Sequence, residues 1–342
     1  MTRSRARKLL IFFAALAGLA ALIISFSSIL GITELVYPVR IDSAYVVAMQ
    51  RNSKGSTQDS IDPSRYLYKP EQLALGYENL SVQTNDSLEL KGWYFPPFYE
   101  ELGITILIIH DINESKISYL QAAKAFSERG FRVCCMDMRG CGASEGEYFT
   151  MGTVTSTDIS NILNRLYARP ETKHIALMGS GTGAAIAIQS FVYDQRPIAL
   201  VAQNSFASLT AYYSRFARIK WGILGRWFFP LMKKELDAQT GFNSDSLNLQ
   251  KMILRVTKPT LFVARAKESI DDLKETHLLF ELSPSAKKEF VFFRDKAAND
   301  TLTEPHKAYY DKISAFISTS VPKKEIRTRF RKLVLNDHKV NH

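Results

Sequence analysis

A chain of 342 residues with 46% hydrophobic composition is ample to bury one large α/β core with appendages, and its three cysteines exclude a disulfide framework. The formal net charge of +10 sits almost wholly at the ends: Arg3, Arg5, Arg7 and Lys8 supply four charges, and Val321 to His342 carries seven Lys or Arg against Glu325 and Asp337. The body is therefore close to neutral, which excludes nucleic acid as the main partner.

Residues 1–8 read as a basic cytosolic N-terminus. From Leu9 to Ile32 no residue is charged, and at 1.5 Å per residue such a helix spans about 36 Å, enough to cross a bilayer core of about 30 Å. The preceding cluster of positive charge keeps the N-terminus in the cytosol and sends the rest across, so 9–32 is expected to be a transmembrane anchor, with the domain on the extracytoplasmic side. The rival is a cleaved signal peptide and a secreted chain, because Ser25-Phe26-Ser27 has the small-x-small form of a cleavage site. Residues 33–75 are polar and rich in turn formers, as expected of a linker or lead-in.

The folded domain is expected over 76–318. Tyr77 to Gln83 and Leu88 to Phe95 read as a hairpin turning at Thr84 to Ser87, followed by an apolar strand at Ile104 to Ile109, a helix at Tyr119 to Arg129 and a strand at Arg132 to Met138. Cys134 and Cys135 are neighbours on that strand, so their side chains face opposite sides of the sheet and cannot readily bridge. Next comes KHIALMGSGTGAAIAIQ, in which a short apolar run stops at a glycine-dense turn and continues as small residues suited to a helix. Strands separated by helices imply a mostly parallel sheet covered on both faces, with ligands outside the carboxyl ends of the strands. Between about 207 and 250, Arg215, Arg218, Lys220, Arg226, Lys233 and Lys234 interleave with Phe216, Trp221, Trp227, Phe228 and Phe229. The aromatics of that stretch are expected to pack on the sheet edge, or, interleaved with basic residues, to form a membrane-facing surface. Residues 319–342 form a basic tail, a solvated helix or a contact for anionic lipid or a protein partner.

These pieces resemble the α/β-hydrolase superfamily, and within it the serine aminopeptidase-like branch that includes membrane-anchored esterases and thioesterases. The resemblance is carried by YENLSVQTNDSLELKGWYFPP, ILIIHD, GFRVCCMDMRGCGASEGE, IALMGSGTGAA, NSFASL, KPTLFVARAKES and FVFFRDKAANDTLTEPHKAYYDKISAFI, in the family's order across roughly residues 76 to 318. It implies a sheet flanked by helices, a short helical cap at about 207–250 and a nucleophile elbow of the form G-x-S-x-G.

Laid on that pattern, Gly179 and Gly183 take the outer glycines and the nucleophile position falls on Gly181. The histidine position falls on Ala298, beside Asn299-Asp300, and the acid position on Glu268. Two of the three groups needed for acyl transfer are missing, and an acid has nothing left to orient. The resemblance places the oxyanion-hole amides at Ile112 and Thr182, and Asp111, where the family usually has glycine, sets a carboxylate beside them. Ser180, one residue off register, and Cys141, in the loop after the fourth strand, are the alternative nucleophiles. No cluster of His, Cys and carboxylates has metal-ligand spacing, and no cofactor is expected. Two function classes follow. One is a membrane-tethered, catalytically inactive hydrolase-like protein that binds an acyl, lipid or peptide-like ligand or scaffolds a protein partner. The other is an active esterase, thioesterase or peptidase with displaced catalytic groups.

Overall fold

The computed structural model describes residues 68–99, 101–112, 114–265, 270–293 and 307–322, with positions 7, 12, 18, 33, 35–38, 40–42 and 45 from the N-terminal part. The anchor expected at 9–32 lies outside the described residues except for two positions, and among the described residues no helix is long and apolar enough to cross a membrane. Glu268, Ala298 and the tail beyond residue 322 also lie outside them.

Eight strands form one sheet in the order β1-β2-β4-β3-β5-β6-β7-β8. The strands are β1 (Glu78–Gln83), β2 (Glu89–Phe95), β3 (Ile104–Ile109), β4 (Arg132–Met136), β5 (His174–Ser180), β6 (Ala199–Gln203), β7 (Thr260–Arg265) and β8 (Lys288–Phe293). Only the β1–β2 and β2–β4 pairs are antiparallel; every other pair is parallel. The helices are α1 (Leu120–Ser127), α2 (Thr153–Tyr167), α3 (Thr182–Tyr193), α4 (Leu209–Trp221), α5 (Ile223–Thr240), α6 (Leu249–Ile253), α7 (Ile270–Leu282) and α8 (Lys307–Ser318).

Both faces of the sheet are covered, which is why its central strands are continuously apolar instead of alternating. All six residues of β3 and all five of β6 are buried. The two-residue period then sorts them between two cores. Leu107, Ile109, Cys134, Met136 and Leu177 pack with residues of α2, α3, α4, α5 and α6, whereas Ile106, Ile108, Cys135 and Met178 pack with residues of α1 and α8. The adjacent Cys134 and Cys135 thus lie on opposite faces as their alternation requires, and both are free thiols.

The expected lead-in contributes to both cores. Leu35 and Val36 join the first, and Leu73 and Leu75, at and beyond a single helical turn at Pro70–Leu73, join the second. Polar composition masked this, because a few spaced apolar side chains suffice to dock an irregular segment.

Buried ion pairs fasten the loops on the side of the site. Asp137, following β4, accepts the backbone amides of Lys116 at 2.7 Å and Ala143 at 2.8 Å and pairs with the Lys116 ammonium, so one carboxylate staples the loop after β3 to the loop after β4. Arg139 bridges Asp158 on α2, 2.6 Å away, and Asp86 in the β1–β2 turn, 3.0 Å away. Taking one partner from the buried Lys116–Asp137 or Arg139–Asp158 pair leaves an uncompensated charge and costs about 3–5 kcal/mol, whereas Asp86 is half exposed.

Candidate active site at the strand-to-helix elbow

Register decides which residues meet. Ile109 of β3 pairs with Gly179 of β5, Ser180 pairs with Gln203 of β6, and Gln203 pairs with Val263 of β7. The residues that follow these parallel strands, Asp111, Gly181 and Asn204, therefore emerge at one edge of the sheet, together with Arg265 at the end of β7. In open α/β folds ligands bind at that edge.

Between β5 and α3 the chain turns on Gly181 with φ 55° and ψ −118°, a strained conformation that side-chain-bearing residues rarely adopt. Gly181 donates its amide to Gln203 O at 3.0 Å. The outer glycines are required by contact: a Cβ on Gly179 would overlap the Gly183 carbonyl, and one on Gly183 would overlap the Ile109 carbonyl. Helix α3 can start this close to β3 and β5 only because those side chains are absent.

Asp111 fills the space above Gly181. A Cβ built on Gly181 would overlap the Asp111 carboxylate, so the two positions compete for one volume. Oδ1 of Asp111 accepts the Ile112 amide at 2.7 Å, the Thr182 amide at 3.0 Å and the Thr182 hydroxyl at 2.6 Å. Thr182 opens α3, so this anion also sits at the positive end of a 12-residue helix. The sequence suggests a carboxylate beside these two amides; the structure shows one that accepts from both. Charge-assisted hydrogen bonds of this kind each stabilise by about 1.5–3 kcal/mol.

The groups behind Asp111 hold it in place. His110 Nε2 accepts the Met138 amide at 2.9 Å, which makes Nδ1 the protonated nitrogen, and Nδ1 donates to Asp111 O at 2.6 Å. The ring is fully engaged between β3 and β4 and is not positioned as a base. Glu114 accepts the Tyr119 hydroxyl at 2.6 Å and lies 3.3 Å from the Asp111 amide. Burial, then the neighbouring Asp111 charge, pushes the Glu114 carboxyl above its ordinary value, and burial raises the Tyr119 hydroxyl well above its own.

Ser180 receives a hydrogen bond from Gln203 Nε2 at 3.2 Å, and Gln203 Oε1 accepts the Tyr309 hydroxyl at 2.6 Å. Beyond them Arg265 lies over the Tyr309 ring, 5.6 Å from its centroid. Cys141 is 1% exposed, with Sγ 4.0 Å from Ile112 O, and burial pushes its thiol far above the usual range, so the thiolate that nucleophilic attack requires is suppressed. His174 begins β5, and His277 lies on α7, 3.7 Å from Glu281. Neither has a place in the Asp111–Gly181 cluster. Among the described residues no group of three His, Cys or carboxylate side chains could hold a metal ion.

Sequence reasoning brings Gly181, Asp111, Ile112 and Thr182 to this cluster. It misses Gln203 and Tyr309, whose pairing joins β6 to α8 across 106 residues and leaves no local trace. It also misses Glu114, whose signal was its place three residues after Asp111, the offset that lets a carboxylate fold back onto a turn amide.

Residues 101–250 match the family described as Serine aminopeptidase, S33. The bem46 protein of Schizosaccharomyces pombe is 25% identical over 256 residues, covering 73% of this chain and 79% of that one. An uncharacterized membrane protein of Saccharomyces cerevisiae is 24% identical over 254 residues, covering 72% and 82%. Other curated relatives are covered only to about half their length, 45% for an uncharacterized Mycobacterium tuberculosis protein 27% identical over 128 residues. Among solved structures, an esterase of Pyrococcus furiosus superposes with a TM-score of 0.58 at 17% identity, over 84% of this chain and 97% of that one. With β3, the glycine elbow and α3 in the order and register described, the chain has the α/β-hydrolase fold, and its residues 101–250 are similar to the serine aminopeptidase family.

Proposed function

We propose that this chain is a membrane-tethered, catalytically inactive α/β-hydrolase-like protein whose role is to bind an acyl, lipid or peptide-like ligand or to scaffold a partner. One observation carries the reading: the Asp111 carboxylate accepts the Ile112 and Thr182 amides and occupies the volume that a side chain at Gly181 would need. Acyl transfer needs a nucleophile at the elbow and empty donors to receive the developing oxyanion. Here the nucleophile position is glycine and the donors already hold an anion. The tether rests on the 24 uncharged residues from Leu9 to Ile32 behind four basic ones, and the Saccharomyces cerevisiae relative described as a membrane protein supports it.

The test is turnover of short acyl esters and thioesters by the purified chain, together with labelling by a serine-directed fluorophosphonate. Neither is expected. Gly181→Ser alone leaves the protein inert, because its Cβ overlaps the Asp111 carboxylate and its hydroxyl lacks a base. Gly181→Ser with Ala298→His and Asp111→Gly is the combination expected to gain weak activity, with Glu268 orienting the ring. Turnover by the unaltered chain that disappears on mutating Ser180 or Cys141 overturns the reading in favour of displaced catalytic groups.

A further inference from the structure

Helix α5 carries two neighbouring apolar stripes. Gly225, Phe228, Met232 and Leu236 form the buried one. Ile223, Leu224, Trp227 and Leu231 form the other and are exposed, with Ile223 at 80% and Trp227 at 77%. Ile219, near the end of α4, extends the patch at 74% exposure. The hairpin that carries it is rigidly closed: Gly222, with φ 60°, makes the corner, and Gly225 comes so near α4 that a Cβ would overlap the Ala217 carbonyl. The apolar residues are therefore held outward, unable to fold back onto the domain. Exposed side chains scattered singly need no explanation, but five on one rigid hairpin mark an interaction surface.

Charge identifies what covers it. Along α4 and α5 the hairpin carries six basic residues, Arg215, Arg218, Lys220, Arg226, Lys233 and Lys234, against two acidic ones, Glu235 and Asp237. Arg215 and Arg218 are matched by Glu275 and Asp271 of α7, and Lys233 by Asp237 and Asp245. Arg226 and Lys234 remain exposed beside Trp227 and Leu231 on α5, and Lys220 borders Ile219. A second copy would set this basic rim against itself, and the chain's own tail, with seven Lys or Arg between Val321 and His342, would be repelled in the same way. An anionic bilayer satisfies both parts: its hydrocarbon accepts the aliphatic side chains, its headgroups the cations, and tryptophan favours the boundary between them.

We propose that the α4–α5 hairpin docks on an anionic lipid bilayer, inserting Ile219, Ile223, Leu224 and Trp227 while Arg226 and Lys234 engage headgroups. This rests on the tethered reading, because a chain that never meets a membrane cannot use the surface. It is independent of whether the elbow catalyses anything. Hairpin α4–α5 follows β6 at the edge of the sheet where Gly181 lies, so docking would bring the candidate site beside the lipid surface.

The full chain is reconstituted with phosphatidylcholine vesicles, or with vesicles also containing phosphatidylserine, in which part of the lipid carries brominated acyl chains that quench tryptophan. Flotation reads membrane attachment, and quenching reads the hairpin. Trp93 is buried and Trp221 half-buried, so the quenched component should belong to Trp227. The expected result is strong quenching on phosphatidylserine membranes that is lost in Trp227→Phe, weakened by salt, and accompanied by a docked population reduced about fivefold in Arg226→Gln, the attraction of one basic side chain to an anionic surface. A chain that floats while Trp227→Phe is quenched as much as the unaltered protein overturns the docking and leaves the tether standing. A chain that does not float with either vesicle overturns both. Protection of Trp227 from an aqueous quencher without quenching by bromolipid also overturns it, and points to a protein partner instead.

Discussion

The elbow and the hairpin both rely on a glycine that lets two backbones touch, yet they treat their outer surfaces in opposite ways. At the elbow, Gly179 and Gly183 draw α3 against β3 and β5, and the space above Gly181 is filled by a hydrogen-bonded carboxylate. At the hairpin, Gly225 draws α5 against α4, and the outward face is left apolar. The first is closed by groups from within the chain and the second is left for something outside it. Closeness of packing alone does not mark a functional surface. What matters is whether the groups facing outward already have partners.

The largest expected effect comes from forcing a side chain into the closed region. Gly181→Ser should lower stability by about 2–5 kcal/mol, combining steric overlap with Asp111 and a non-glycine residue at φ 55°. Urea denaturation measures it, and combining it with Asp111→Gly should cost about 1–3 kcal/mol less than the sum of the two single losses, the coupling in the double-mutant cycle. Additive losses would mean that the two positions do not share one volume. On the inner side of the hairpin, Gly225→Ala should cost about 1–3 kcal/mol by parting α4 from α5. A neutral result by the same measurement would show that the hairpin is looser than the elbow.

A smaller effect should appear in the pH dependence. The raised carboxyl of Glu114 binds its proton more tightly in the folded than in the unfolded chain. Its stabilising contribution is therefore complete below the ordinary glutamate value of 4.5 and is lost as pH rises through the raised folded value. Glu114→Gln, which keeps an acceptor for Tyr119, should lack that decline, so thermal melts of the two proteins should diverge with increasing pH in favour of the variant. Parallel curves would remove Glu114 from the account of the closed region. The smallest effect should belong to the open surface: Trp227→Ala in water, without membranes, should change stability by less than about 0.5 kcal/mol, because its side chain is largely exposed. A larger loss would show that Trp227 serves the fold.

How much was legible in the sequence depended on how local each cause was. The strands β3 and β5 were readable because burial on both faces demands unbroken apolar runs. The elbow was readable because its glycines are spaced by a single turn. The competition between Asp111 and Gly181 was only half readable: the identities were plain, but overlap across 70 positions follows from the β3–β5 register, which no local pattern encodes. Gln203 with Tyr309 and the docking of Leu35 and Val36 were unreadable for the same reason. The two stripes of α5 were obscured by their own composition, since a broad apolar helix surface looks like a fully buried one until the fold shows which part is covered.

The Asp111 carboxylate has a further consequence for the trade between stability and activity. A hydrolase must keep its oxyanion donors ready for a charge that exists only during reaction, and until then those amides rely on water. Here the chain supplies a permanent acceptor, so donors reserved for a fleeting species strengthen the resting fold. Two of those hydrogen bonds, from the Thr182 amide and hydroxyl, also fasten the loop after β3 to the first turn of α3. Freeing these amides for an oxyanion must therefore begin by surrendering part of the protein's stability.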